Sequence, residues 1–200
     1  MTVKIKTDLL VIGAGAGGLS VAAGAAQLGI KVVLLEGDKM GGDCLNYGCV
    51  PSKALIAFCN QRKPKQFNHA MGFIRDAINE ITPHDSEERF RSLGVNVIRE
   101  YGQFVNETTV AAGAYEIQPR RIVIATGVHT PVPDISGLSG VQYHTNQTIF
   151  DLTKKPEHLL VLGGGPVGVE LAQAFARLGV NVTIFEKRKL LSNFSREQVE

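Results

Sequence analysis

The sequence comprises 200 residues, of which 44% are hydrophobic and 20% charged, with a formal net charge of +2. This composition supports one or two globular domains with an apolar core and argues against disorder. Acidic and basic residues are mixed along the chain, so no basic stripe predicts nucleic-acid binding, and we expect small-molecule partners. The 22 glycines come in short runs, which indicates tight turns where backbone approaches a ligand.

An uncharged stretch near the start needs a separate explanation. Residues 9–30 carry no charge and follow Lys4 and Lys6, a pattern that a secretory signal or a membrane span also produces. Glycines recur throughout this stretch and Asp8 stands at its start, which disfavours both alternatives. We therefore expect a cytoplasmic protein without a membrane span.

The chain contains an internal repeat at a fixed offset, in which residues 9–12 align with residues 159–162. Each copy has an apolar strand, a glycine-rich turn, a helix rich in Ala, Leu and Val, a glycine, and a β-branched strand closed by an acid. The matched residues are Gly13, Gly15, Gly18 and Glu36 in the first copy and Gly163, Gly165, Gly168 and Glu186 in the second. This pattern predicts an α/β fold with two Rossmann-like βαβ units.

The glycine spacing GxGxxG, in its strand–turn–helix setting, predicts dinucleotide binding. The first glycine permits the tight turn, the second lets backbone N–H groups approach a pyrophosphate, and the third lets helix and strand pack closely. Glu36 and Glu186 follow at about the 20-residue spacing of a carboxylate that accepts from ribose hydroxyls. The alternative is that these are packing glycines and solvated acids. We expect two dinucleotides to bind.

The region between the repeats changes character. Residues 60–94 carry apolar side chains at helical spacing, and residues 95–124 form short β-branched runs separated by turn residues. We predict helices followed by a small strand-rich excursion. Its last strand, residues 121–124, leads into a turn at Ala125-Thr126-Gly127.

Prolines after this turn indicate a linker before the second repeat, and we place a domain boundary near Asp151. The predicted domains are residues 1–151, which hold the first dinucleotide site, and residues 152–200, which hold an incomplete second one.

Cys44 and Cys49 lie in the segment GGDCLNYGCVPSK, residues 41–53, directly after the first repeat. A structural disulfide is unexpected in a cytosolic chain with three cysteines, and a zinc site would need further ligands at short spacing, so we expect no metal. Pro51 suits the first turn of a helix, which would put Cys49 at a helix N-terminus, where the dipole favours a thiolate. We interpret the two as a redox pair. The alternative is two buried cysteines that act as small hydrophobic residues, the role that we assign to Cys59.

With these features the sequence resembles the class I pyridine nucleotide-disulfide oxidoreductases, a family that includes dihydrolipoamide dehydrogenases, glutathione reductases and mercuric reductases. Residues 41–53 are the most specific match, and the resemblance covers the whole chain. It implies that the first glycine motif binds FAD and the second NAD(P). It also implies that the nicotinamide reduces the flavin, which in turn reduces a disulfide.

The resemblance implies roles for individual residues. Cys49 would be the thiolate in contact with the flavin, and Cys44 the thiol that meets the substrate. Lys53 would lie beside the flavin and pair with Glu170, whose place in the first repeat is taken by Ser20. The other implied FAD contacts are Glu36, Gly41, Gly42, Asp43, Gly102, Thr126 and Gly127. Many relatives have Thr where this chain has Asp43.

The choice of nicotinamide dinucleotide depends on Glu186. A carboxylate there would accept from the ribose hydroxyls of NAD and repel the 2′-phosphate of NADP, while Lys187 and Arg188 act in the opposite direction. We expect NAD, with NADP second.

The predicted function is that of an FAD-dependent oxidoreductase most like dihydrolipoyl dehydrogenase, acting on a small-molecule disulfide or dithiol. Two alternatives stay open. The helix at residues 170–179 resembles mercuric reductases, and the chain could instead be a truncated, non-catalytic nucleotide-binding fragment.

The resemblance also implies further sequence: the rest of the NAD domain, a returning FAD segment, and a C-terminal interface domain that supplies a His–Glu pair from the partner subunit. We therefore expect the parent protein to be a homodimer. His84, which precedes Asp85 and Ser86, is interpreted as part of a helix cap.

Overall fold

The structure, a computed structural model, describes residues 2–62 and 66–192. Its α-helices are α1 Ala16–Gln27, α2 Gly42–Asn46, α3 Cys49–Asn60, α4 Phe67–Ile81, α5 Glu87–Ser92 and α6 Pro166–Arg177. Its strands are β1 Val3–Ile12, β2 Val32–Leu35, β3 Asn96–Ile98, β4 Gln103–Asn106, β5 Thr109–Ala112, β6 Tyr115–Ile124, β7 His158–Leu162 and β8 Asn181–Phe185. The chain divides into two compact units.

The first unit, residues 1–49 and 78–147, is built on a sheet with the strand order β3-β2-β1-β6-β5-β4. Strands β3, β2, β1 and β6 are parallel, whereas β4, β5 and β6 pair antiparallel. Ile12 pairs with both Leu35 and Ile124, so three carboxyl ends of parallel strands meet at one edge. Ligands of open α/β sheets bind at this edge.

Apolar side chains cover both faces of the central strands. Val11 and Leu34 pack on one face with Leu19 of α1, while Leu10 and Val33 pack on the other against the excursion strands. Because successive side chains of a strand point to opposite faces, burial on both sides requires a continuous apolar run such as residues 32–35.

The second unit comprises residues 50–77 and 148–200. Strands β7 and β8 are parallel and connected through α6. Helix α3 contacts α6 near the carboxyl ends of both: the Cys59 thiol donates to the Ala174 carbonyl at 3.5 Å, and Arg177 donates to the Asn60 side chain at 2.7 Å. The rings of Phe67 and Phe175 lie 6.3 Å apart.

The predicted fold class is confirmed: both repeats form βαβ units, and the first is followed by a small antiparallel excursion. The chain passes from the first unit to the second between residues 147 and 148, and residues 50–77 group with the second. Residues 193–200 of the predicted second domain lie outside the described residues. The domain assignment stays a prediction.

The predicted helix cap near His84 is also confirmed. Ser86 precedes α5, and its hydroxyl accepts the backbone N–H of Arg89 at 3.2 Å. This hydrogen bond satisfies one of the N–H groups that the first turn of a helix leaves unpaired.

Candidate active site

The first glycine turn connects β1 to α1 at the carboxyl edge of the sheet. Gly13 has a φ of +103°, a conformation that side chains other than glycine rarely adopt. A Cβ on Gly18 would overlap the carbonyl oxygen of Gly13, so only glycine lets α1 approach the turn this closely. Gly15 is the N-cap of α1, and within the described residues no side chain caps this helix and no acid occupies its first turn. The N–H groups there are available to an anion.

Glu36 stands at the end of β2, and its carboxylate is held in place by two backbone groups. It accepts the N–H of Ala14 and the N–H of Asp38, both at 2.7 Å. The acid therefore lies directly against the glycine turn, as expected for a carboxylate that receives ribose hydroxyls.

A cavity of about 310 Å³ opens between the glycine turn, the end of β2 and the segment after β6. Of the predicted FAD residues, it is lined by Gly13, Gly15, Glu36, Gly42, Asp43, Gly102, Thr126 and Gly127. Within the described part of the chain, Gly18, Gly41 and Lys53 are not among the lining residues.

The cavity walls suit an extended dinucleotide. A Cβ on Gly42 would lie 2.6 Å from the Gly15 Cα, so the turn and the cysteine segment touch through backbone. Gly41 supports this approach because its N–H donates to the Ala14 carbonyl at 2.9 Å. A glycine-lined wall beside open helix N–H groups fits the pyrophosphate of FAD.

Sequence reasoning missed several side chains of the cavity, among them Lys39, Tyr47, Tyr101, His129 and Gln147. Lys39 lies over the ring of Tyr47, 4.9 Å from its centroid, and the ring of Tyr101 packs against Gly37. Tyr101 is 74% exposed. Its place beside Gly102, a glycine that the resemblance already assigned to FAD, was the signal available in the sequence.

Both cysteines of the predicted redox pair lie next to this cavity in sequence. Cys44 is in α2, and Cys49 begins α3 after the two-residue turn Tyr47–Gly48. Cys44 is half-buried, Cys49 exposed and Cys59 buried. The predicted position of Cys49 at a helix N-terminus is confirmed. A negative charge on its sulfur would be stabilised by the helix dipole.

The second glycine turn repeats the first in detail. Gly163 has a φ of +106°, and a Cβ on Gly168 would overlap the Gly163 carbonyl oxygen. Gly165 is the N-cap of α6, and Pro166 occupies the first helical position, where its missing N–H has no consequence. This turn offers the same kind of anion site.

Glu186 repeats the arrangement of Glu36. Its carboxylate accepts the Gly164 N–H at 2.7 Å and the Arg188 N–H at 2.8 Å. The hydrogen bond from Gly164 and then that from Arg188 lower the pKa of this carboxyl from its ordinary value of 4.5. Because the side chain is exposed, an anionic acceptor is available at the surface of the second unit.

The remaining predicted pair, Lys53 and Glu170, is placed on two helices of the second unit. Lys53 is exposed on α3, and Glu170 is half-buried on α6. Within the residues that the structure describes, no ion pair joins them. Their pairing stays a prediction.

Neither a membrane-spanning helix nor a metal cluster occurs in the described part of the chain. None of the helices at residues 2–62 and 66–192 has the length and apolar character needed to cross a membrane. Among the same residues there is also no cluster of three or more His, Cys, Asp or Glu side chains that could hold a metal ion.

The sequence profile of the family described as pyridine nucleotide-disulphide oxidoreductase matches residues 7–200. The chain belongs to this family. Membership confirms the resemblance seen in the sequence, and this family consists of oxidoreductases that work with a pyridine nucleotide. The roles of individual residues stay predictions.

Relatives within the family carry different names. The mercuric reductase of Bacillus cereus is 35% identical over 206 residues, which cover 95% of this chain and 33% of that protein. The dihydrolipoyl dehydrogenase of Haloferax volcanii is 35% identical over 202 residues, which cover 90% of this chain and 42% of that protein. The chain therefore spans less than half the length of these relatives.

The solved structure of a flavoprotein disulfide reductase also matches. The HOCl-induced flavoprotein disulfide reductase RclA from Escherichia coli superposes with a TM-score of 0.84 at 31% identity, covering 93% of this chain and 43% of that one. A Cu(II) complex of RclA superposes with a TM-score of 0.87 at 30% identity, covering 95% and 44%.

Proposed function

We propose that the protein to which this chain belongs is a cytoplasmic, homodimeric flavoenzyme. It moves reducing equivalents between a nicotinamide dinucleotide, FAD and a small-molecule disulfide or dithiol through Cys44 and Cys49. One observation carries this proposal: a single short segment both lines the dinucleotide cavity, through Gly42, Asp43 and Tyr47, and carries the two cysteines. No role in nucleic-acid or membrane binding is proposed.

The chain's own residues would hold the cofactor and the thiols. The N–H groups at the start of α1 would bind the pyrophosphate, and Glu36 would accept from the adenosine ribose. When bound, FAD supplies two-electron transfer between the nicotinamide and the disulfide. In the net reaction, NADH and one proton reduce a disulfide to two thiols and leave NAD⁺.

The two cysteines differ in position, which suits different roles. Cys49 would carry the thiolate at the N-terminus of α3, where the dipole stabilises it. Cys44, in α2, would exchange with the substrate. Lys53 and Glu170 would pair with each other in the complete enzyme.

The second dinucleotide would be NAD rather than NADP. Glu186 is charged at neutral pH, and its carboxylate would repel a 2′-phosphate while accepting from ribose hydroxyls; the backbone hydrogen bonds that lower its pKa act in the same direction. Arg188 contributes an opposing positive charge, so we expect a preference rather than exclusion of NADP.

Two substrates of different chemistry follow from the relatives. A dihydrolipoyl dehydrogenase activity is our first candidate, and a mercuric reductase-like activity is the second because a mercuric reductase shares the same identity of 35%. NADH oxidation by the purified full-length protein, measured with lipoamide and separately with Hg²⁺, would separate them.

The redox assignment is tested by replacing the thiols. Cys49→Ser should abolish turnover with either substrate, whereas Cys59→Ala, which alters a cysteine outside the pair, should retain it. Unchanged turnover in Cys49→Ser would overturn the proposal.

The visible spectrum of residues 1–200 after addition of FAD tests the alternative of a non-catalytic fragment. A flavin spectrum that gains a long-wavelength band on reduction would contradict that alternative.

A further inference from the structure

A row of three hydrogen-bonded side chains links the cysteine segment to the segment after β6. The Thr130 hydroxyl donates to Asn146 Oδ1 at 2.7 Å, and Asn146 Nδ2 donates to Asp43 Oδ1 at 2.9 Å. The direction of this row is fixed by chemistry, because a carboxylate only accepts and the amide must turn its NH₂ toward it. We call these three residues the Asp43 strap.

The Asp43 end of the strap lies over the turn between the two cysteines. The Asp43 carbonyl accepts the Tyr47 N–H at 2.8 Å. A Cβ placed on Gly48 would lie 3.0 Å from Asp43 Oδ2 and 3.1 Å from the Asp43 carbonyl oxygen. Asp43 is therefore hydrogen-bonded to Tyr47 and leaves little room for a side chain at Gly48, the two residues of the turn that connects α2 to α3.

We propose that Asp43, Asn146 and Thr130 are positioning residues that hold this turn in the conformation required for a Cys44–Cys49 disulfide. The inference rests on the proposed redox role of these cysteines and adds a structural control of their equilibrium. The strap fixes one side of the turn to a separate segment, so that the two cysteines stay close when they are reduced.

Restricted motion of the turn has a definite effect on redox equilibrium. Two thiols held near each other form a disulfide more readily than two thiols on a loose loop, because less entropy is lost on closure. In exchange with glutathione, the protein disulfide and two glutathione thiols yield the protein dithiol and one glutathione disulfide. Loosening the strap should move this equilibrium toward the dithiol.

The sharpest test exchanges the two partners of the central hydrogen bond. Asn146→Asp places a second carboxylate against Asp43 and should push the turn open. The double variant Asp43→Asn with Asn146→Asp restores a hydrogen bond, because the new amide donates to the new carboxylate, which still accepts from Thr130. Thr130→Val removes one exposed hydrogen bond and serves as a mild variant that leaves the fold undisturbed.

The measurement uses the full-length protein equilibrated in glutathione buffers, with the thiols trapped by alkylation and the Cys44–Cys49 disulfide quantified by mass spectrometry. We expect Asn146→Asp to shift the equilibrium constant about fivefold toward the dithiol, which corresponds to about 20 mV for a two-electron couple. Thr130→Val should shift it about twofold. The double variant should lie within about twofold of wild type.

A matched control is available on another turn. Asn106 is exposed, and its side-chain oxygen accepts the Thr108 N–H at 2.9 Å, so Asn106→Asp makes the same chemical change away from the cysteines and should leave the equilibrium unchanged. If wild type and Asn146→Asp had the same thiol–disulfide equilibrium constant, the proposed role of the Asp43 strap would be overturned, while the redox role of the cysteines would stand. A double variant that behaves like Asn146→Asp would also overturn it, since restoring the hydrogen bond would then fail to restore the equilibrium. Failure of wild type to form the Cys44–Cys49 disulfide would overturn the proposed function as well.

Discussion

Glu186 accepts the backbone N–H of Gly164 at 2.7 Å, which ties the end of β8 to the second glycine turn. Glu36 accepts the Ala14 N–H at the same distance in the first unit. Glu36 thus fixes the glycine turn after β1, and Glu186 fixes the glycine turn after β7. Each carboxylate still has lone pairs with which it can accept hydrogen bonds from a ribose.

The pH dependence of stability should report the Glu186 contact. Because its folded pKa is lowered from 4.5, Glu186 stabilises the fold above that value and loses this contribution as the pH falls through the lowered pKa. Urea unfolding of wild type and Glu186→Gln should therefore differ at neutral pH and converge in acid. The difference should be small, since exposed charges are screened by solvent. A difference that grows in acid would contradict this prediction.

Glu186 should also control the choice of dinucleotide. Removing its charge in Glu186→Gln eliminates the repulsion of a 2′-phosphate, so we expect the NADH-to-NADPH ratio of kcat/KM to fall about tenfold. Steady-state kinetics of the full-length enzyme measure this ratio. Glu157→Gln, an exposed change next to β7, is the control that should retain the wild-type ratio.

Two neighbouring glycines at the start of α1, Gly17 and Gly18, should differ sharply in how well they tolerate substitution by alanine. Gly18→Ala forces a methyl group into the Gly13 carbonyl oxygen, and we expect a loss of about 1–3 kcal/mol in the free energy of unfolding. Apart from its chain neighbours and the nearby backbone of α1, a methyl group on Gly17 would have no heavy atom of the described residues within 4 Å, so Gly17→Ala should be neutral or stabilise α1 by about 0.5–1 kcal/mol. Urea titration of the two variants gives the comparison; equal losses would show that the packing argument is wrong.

The three thiols should react in the order of their exposure. Cys49 is exposed, Cys44 half-buried and Cys59 only 2% exposed. Alkylation of Cys59 requires local opening, so we expect it to be at least about a hundredfold slower than alkylation of Cys49. Time-resolved mass spectrometry of the reduced protein measures all three rates together. Rapid labelling of Cys59 would show that the contact between α3 and α6 opens readily.

The backbone of both dinucleotide turns could be predicted from the sequence because glycine is required there by local geometry. Gly13 and Gly163 have positive φ angles. The third glycine of each motif, Gly18 or Gly168, is required because the helix packs against the carbonyl oxygen of the first. The start of α3 was also predictable, since Pro51 suits a first helical turn. These signals are local, so a single sequence contains them.

Other features depend on distant partners and left no local pattern. Strand β1 begins at Val3, whereas the apolar run predicted only residues 9–12, because Lys4 and Lys6 lie in the half of the strand that pairs with the start of β6. The contact between Asp43 and Asn146 joins residues 103 positions apart. Polar side chains on two exposed segments give no hydrophobic pattern from which their meeting could be predicted.

The backbone contact between Gly15 and Gly41 has a consequence for protein engineering. The two residues form a parallel bridge, and the Gly41 N–H donates to the Ala14 carbonyl. The phosphate turn and the cysteine segment are therefore joined through main-chain atoms, which do not change when side chains are exchanged. Side chains around the two segments can accordingly be exchanged without breaking this bridge, whereas residues 13–49 should be moved to another scaffold as a single cassette, because a junction between the two glycines would leave their backbone positions to two different scaffolds.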